Sequence, residues 1–125
     1  MSYTLPQKQA AARALVAQVP GIRYTTALCW VTCEQGDNFN FLGLTGPSGL
    51  LKFADFTSAA KAYAIVIAKS PLYAGLREAF KVNISLVQLR AVARCPWHLG
   101  EAGLARAGGV DPYYRRIFAD MGYRV

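Results

Sequence analysis

The chain is cut into short lengths by its own prolines and glycines. Pro20-Gly21, Gly36, Ser70-Pro71 and Cys95-Pro96 each stop an apolar run, because proline removes a backbone donor and glycine is a poor helix former. The pieces between them carry apolar residues at helical spacing. Such a chain buries its apolar surface by packing short helices on one another. No run approaches the roughly 18 apolar residues needed to span a bilayer; the longest, Ala62 to Ala68, is far too short.

Read in order, Pro6 opens a first helix from Gln7 to Val19, at a position where a missing N–H has no partner to lose. Ala11, Leu15, Val16 and Val19 form its inward face. Thr25 or Thr26 caps a second helix, which carries Ala27, Leu28, Trp30 and Val31 and ends near Glu34 to Gly36. Residues 37–52 are rich in Gly, Asn and Pro and read as loop or short extended pieces, anchored by Leu50, Phe53 and Phe56. Thr57 or Ser58 caps a third helix, Ala59 to Lys69, apolar enough to be central. Pro71 starts a fourth, Leu72 to Phe80. Ser85 caps a fifth, Leu86 to Arg94, with Leu86, Leu89, Val92 and Ala93 inward. After a glycine-rich connection, Asp111 caps a last helix from Pro112 to about Met121. The expected class is all-α, a single domain over 1–125, with a Gly/Asn-rich loop after the second helix.

Composition narrows the partners. Hydrophobic residues make up 54% and charged residues 17%, which excludes general disorder. Fourteen basic residues against seven acidic ones leave a net charge of +7. That charge suits a polyanion: nucleic acid, an anionic membrane, or the acidic polymers of a bacterial wall. Nucleic-acid binders concentrate Lys and Arg on one helix or arm, whereas here only Arg115-Arg116 are adjacent. A basic aromatic cluster, Tyr113 to Arg116, reads as a solvated helix face before it reads as a DNA contact. The start, M-S-Y-T-L-P-Q-K-Q, shows no secretion-signal pattern.

Chemistry concentrates between Trp30 and Thr45. An apolar helix reaches one acid, Glu34, and breaks on Gly36. The dipole disfavours an acid at a helix C-terminus, so stability alone is a poor reason for it. A carboxyl shielded there would hold its proton toward neutral pH and serve as a general acid. The bland reading pairs it with Arg23 or Arg94. Cys29 and Cys33 lie one helical turn apart; with Cys95 and His98 they could make a zinc set. The C-x3-C spacing on an apolar helix favours packed thiols instead, and a Cys33–Cys95 disulfide is the other option. His98, after Trp97, reads as a capping or surface group.

The order of short motifs adds a resemblance. W-V-T-C-E-Q-G ending at Gly36, N-F-L-G-L from Asn40, and F-A-D-F-T-S-A-A-K-A-Y-A from Phe53 come first. S-P-L-Y-A-G-L from Ser70 and C-P-W-H from Cys95 follow. Together they resemble phage peptidoglycan-degrading domains of the lysozyme superfamily, the glucosaminidase and lytic-transglycosylase-like members found as endolysins or tail-associated lysins. The likeness covers roughly residues 10–118, in the right order. It implies a lysozyme-like helical fold with a glycan groove between two lobes and needs no metal or organic cofactor. Glu34 takes the place of the general acid. Asn40 and Gly43 would shape the groove floor, Tyr63 and Tyr73 would lie near the bound sugar, and Trp97 matches the late-motif tryptophan, with Cys95 in place of its serine. The acid-to-asparagine interval, six residues, is shorter than in many glucosaminidases.

By that resemblance the activity is cleavage of β-1,4 bonds between N-acetylated amino sugars of the cell wall. The partners are peptidoglycan glycan strands and other phage virion proteins, with no nucleic acid and no membrane span. The protein would act from a virion, or from the host cytoplasm with release to the wall. The reaction needs a proton on the leaving oxygen as positive charge develops on the ring. Asp37 and Asp55 are candidates for a second acid, but Asp37 also reads as a turn former and Asp55 as a turn or cap. A single-acid mechanism fits better. One rival keeps the fold without catalysis, as a phage tail structural or cell-wall-binding module. Another is a small basic DNA-binding protein, which the absence of a helix-turn-helix pattern ranks last.

Overall fold

A computed structural model of the chain describes residues 3–34, 36–95 and 97, with single positions at 106, 108, 112, 115, 116 and 119. The chain is mainly helical. Its elements run α1 (Leu5–Gln18), α2 (Tyr24–Glu34), β1 (Thr45–Gly46), β2 (Gly49–Leu50), α3 (Phe56–Lys69), a 3-10 turn (Pro71–Tyr73), α4 (Ala74–Ala79) and α5 (Ser85–Arg94). The expected last helix, its Tyr113–Arg116 cluster, and His98 fall outside the continuously described residues.

Helix α1 begins on a reciprocal cap. The Thr4 hydroxyl accepts from the Gln7 N–H at 3.3 Å, and the Gln7 side chain accepts from the Thr4 N–H at 2.8 Å, so two orphan donors are satisfied together. The chain then leaves α1 through Gly21, whose φ is +82°. A Cβ there would lie 2.0 Å from the Phe80 carbonyl oxygen. Glycine is required twice over, for its backbone conformation and for the close approach of the α4–α5 connection.

Helix α2 is the central element. Every residue from Thr26 to Val31 is buried, the mark of a helix covered on all sides; α1 packs on it and so does α5. This corrects the expectation that the third helix is central. Helix α3 buries Ala59, Ala60, Tyr63 and Ile67 against α1 and α4 but leaves Ile65 54% exposed. Composition made α3 look enclosed, whereas among the described residues its neighbours α1 and α4 leave Ile65 uncovered. Val16, Leu50 and Leu86, expected to be inward or anchoring, are exposed.

Several caps differ from expectation because tertiary partners claim the hydroxyls. Thr26 donates to Gln88 Oε1 at 2.9 Å, and Thr25 lies 2.6 Å from the Ser85 hydroxyl. Ser85 is therefore the first residue of α5 and makes no side-chain cap there. Helix α3 is capped by Asp55, which accepts from the Ser58 N–H at 2.7 Å. That bond, made to the ionised form, holds the Asp55 carboxyl below its ordinary range.

Gln88 ties the lower end of the bundle. It is fully buried, and its oxygen accepts from the Arg23 N–H at 2.9 Å as well as from Thr26. Its amide nitrogen donates to the Gly21 carbonyl at 2.8 Å and the Val82 carbonyl at 3.1 Å. One side chain thus joins α5, the start of α2 and both flanking connections. Gln88→Leu keeps the volume but strands these groups, and each buried unsatisfied group costs about 1–3 kcal/mol. Denaturant unfolding is expected to show a loss of about 2–5 kcal/mol; a change within experimental error would mean that the amide ties nothing together.

Candidate functional site

The site is assembled on the loop that follows α2. Glu34 is the last residue of that helix and is half-buried. Two residues on, the Gly36 N–H donates to the Phe41 carbonyl at 3.1 Å. A Cβ on Gly36 would fall 2.0 Å from the Asn40 carbonyl oxygen, so only glycine lets the loop fold back this closely. Asp37 and Asn40 exchange both backbone hydrogen bonds, at 3.2 and 2.9 Å, closing a turn with Asn38 at φ +50°. Tyr3 donates to the Asn38 carbonyl at 2.5 Å and fixes this turn to the start of the chain.

Asn40 holds the loop from inside. Its amide nitrogen donates to the Leu44 carbonyl at 2.9 Å and the Leu51 carbonyl at 2.8 Å. Its oxygen accepts from the Leu44 N–H at 2.9 Å and the Tyr63 hydroxyl at 2.6 Å. The Tyr63 hydroxyl accepts in turn from the Leu42 N–H at 3.1 Å. These bonds grip both roots of the small hairpin, in which Thr45 pairs with Leu50 and Gly46 with Gly49.

Both Asn40 and Tyr63 are buried, at 1% and 0% exposure. Asn40, expected at the groove floor, and Tyr63, expected near the bound sugar, both have their polar atoms consumed by backbone and by each other. They shape the wall from behind.

Trp97 is where the layers meet. Its indole N–H donates to the Leu42 carbonyl at 2.8 Å. Its ring packs against Trp30 at 5.7 Å, Tyr63 at 5.3 Å and Tyr73 at 5.8 Å. With Gly43, Leu44, Thr45 and Tyr73 it lines an open cavity of about 230 Å³. Three sequence-predicted residues, Gly43, Tyr73 and Trp97, are thereby brought together. Asp37 and Asn40 instead border a separate depression of about 420 Å³ with Phe39, Leu50, Lys52 and Phe53.

Glu34 is not among the described residues lining either cavity. Its placement follows from helix geometry. It lies one turn after Trp30 on α2, and residues four apart share a helix face. That face is the one Trp30 turns toward Trp97. Arg23 stands at the other end of α2, about 16 Å away at 1.5 Å per residue, and its guanidinium bonds Asn83 at 2.7 Å. It is no partner for Glu34.

The remaining polar candidates have structural posts. Asp37 is exposed in its turn, where its charge adds to burial in raising the Tyr3 hydroxyl pKa. Asp55 is a helix cap. All three cysteines are free thiols, so the Cys33–Cys95 disulfide is not formed. Burial first, then the hydrogen bond its protonated thiol makes to Cys33, pushes the Cys29 thiol up, which keeps it protonated and inert. Among the described residues no group of three or more His, Cys, Asp or Glu side chains could hold a metal.

Burial raises the pKa of Tyr63, and to a lesser degree of Tyr73. A tyrosine that binds its proton more tightly folded than unfolded contributes stability that is complete below about pH 10 and lost as pH rises beyond it. Tyr63→Phe is expected to lower stability at neutral pH by about 1–3 kcal/mol, since the Leu42 N–H loses its acceptor. It should also flatten the alkaline decline by up to about 1.4 kcal/mol per pH unit. Parallel unfolding curves for wild type and variant between neutral and alkaline pH would contradict this. No family model matches the chain, and no curated protein or solved structure shows a detectable likeness to it.

Proposed function

We propose that this chain is a peptidoglycan glycosidase built on a lysozyme-like helical domain, cutting β-1,4 bonds between N-acetylated amino sugars with Glu34 as general acid. One observation carries the reading. Glu34 ends a buried helix on the face whose Trp30 packs against Trp97, and Trp97 joins Tyr73 and Gly43 around an open cavity. Aromatic rings beside a shallow concavity give a sugar a face to stack on. The half-buried Glu34, one helical turn from Trp30, supplies the acid that the leaving oxygen needs.

In this reading Tyr73 and Trp97 hold the ring, Gly43 lets the backbone approach it, and Glu34 delivers the proton. No second carboxylate is assigned, because Asp55 caps α3 and Asp37 belongs to the neighbouring depression. Charge on the oxocarbenium is then met by the substrate's own acetamido group or alcohol, as in single-acid mechanisms. Peptidoglycan strands are the partner, reached from a phage virion or by release from the host cytoplasm.

The same two placements favour one alternative: a non-catalytic cell-wall-binding or phage tail module that uses the cavity only to hold glycan. Glu34→Gln separates the two. Wild type is expected to clear a cell-wall suspension, and the variant to be slower by about a hundredfold or more with its helical signal and thermal midpoint retained. Equal clearing by both removes Glu34 from the mechanism. Retained wall binding with no clearing by either supports the binding module.

A further inference from the structure

A groove lined by α3 and the α1–α2 connection shares no lining residue with the cavity of the glycan site. Two adjoining cavities of about 450 and 410 Å³ are lined by α3 and share Pro20, Ala64 and Ala68. Their floor is apolar: Ala64 and Ala68 lie one turn apart, flanked by Ile65 in the first cavity and by Phe80 in the second. Ile65 is 54% exposed, an isolated cost for a β-branched side chain in water.

The rim is cationic. Lys61 and Lys69 border one cavity, Arg77 and Lys81 the other, and no acid is among the described residues lining either. Arg77 is held in place by donating to the Ile67 and Ser70 carbonyls at 2.7 and 2.8 Å. Lys81 meets Glu78 at 2.9 Å in a solvent-exposed pair, which competes weakly with a better partner. Asp55, at the N-terminus of α3, feels the charge of Lys61, and Glu78 pairs with Lys81, so the cations of the rim outnumber the described acids that act on them.

We infer that this groove docks an acidic amphipathic helical segment of a partner protein. Its apolar stripe covers Ala64, Ile65 and Ala68, and its flanking carboxylates meet the lysines at the two ends. Two alanines at the floor let a second helix backbone come close. Charge complementarity selects the partner and sets its orientation. A flat bilayer reaches the exposed Ile65 and Ala68 but does not follow the concavity to the half-buried Ala64. A bare polyanion such as a phosphodiester polymer satisfies the cations but leaves Ile65 uncovered.

The test uses a fluorescently labelled helical peptide with leucine on one face and glutamate on the other, and a scrambled peptide of the same composition. Polyglutamate and phosphatidylglycerol vesicles complete the set of probes. Anisotropy is expected to show binding to the ordered peptide, weakening as ionic strength rises from about 0.01 M to about 1 M, where the Debye length falls from about 30 Å to about 3 Å. Ala68→Glu, which puts an acid on the floor, and the double variant Lys61→Glu with Lys69→Glu are each expected to weaken binding about tenfold or more, the equivalent of 1.4 kcal/mol. All three positions are exposed, so circular dichroism should report an intact fold. Equal binding of the scrambled peptide or polyglutamate overturns the docking of a helix face. Vesicle binding lost in the same variants, without peptide binding, assigns the groove to a membrane. No binding to any probe overturns it outright.

Discussion

The buried amide of Asn40 is the constraint on which the rest of the site depends. A primary amide in an apolar interior is tolerable only when each of its atoms has a partner. Asn40 meets that condition by binding Leu44 twice, Leu51 once and Tyr63 once. Every one of those bonds fixes the loop after α2. The loop cannot drift without stranding the amide, and the amide cannot turn without releasing the loop. Gly43 to Thr45 therefore stand opposite Tyr73 and Trp97, leaving a gap between them. Rigidity in this wall comes from hydrogen bonds to backbone, not from long strands, since β1 and β2 are two residues each.

Around that clamp the aromatics form a connected layer. Phe41 meets Tyr63 at 4.9 Å and Phe56 at 5.7 Å, Phe53 meets Tyr63 at 6.0 Å, and Trp97 closes the series. All four are near-perpendicular edge-to-face pairs, the arrangement that the ring quadrupole favours. Tyr73, tilted at 55°, sits at the outer end. The layer runs from the core to the cavity mouth, so the surface aromatics are oriented by buried ones.

Much of this was legible in the sequence, and the failures have physical causes. Helix breaks at Pro20-Gly21 and Ser70-Pro71 act through backbone chemistry that any context respects, and the helices stop there. The loop over 37–52 was readable for the same reason. Centrality was not: α3 is as apolar as α2, but whether a helix is covered depends on neighbours that distant residues supply. The caps failed similarly, since Thr25, Thr26 and Ser85 found tertiary partners stronger than their own helix ends. Asn40 and Tyr63 were expected at the groove floor and near the sugar, but a polar residue beside a groove and one locked behind it look alike in sequence. Gln88 was missed, although a polar residue one turn before Val92 on an inward face was a signal available to periodicity. Glu34 stands out in the sequence because nothing in local stability favours an acid at that end of α2.

The central claim is that the carboxyl of Glu34 delivers a proton to a glycosidic oxygen of the cell wall. Mass analysis of the fragments released from purified peptidoglycan tests it most directly. The account predicts disaccharide-peptide products whose new ends are sugars, reducing or anhydro, absent from the Glu34→Gln digest. Fragments with intact glycan strands and severed peptide stems, or no soluble fragments at all, would contradict it.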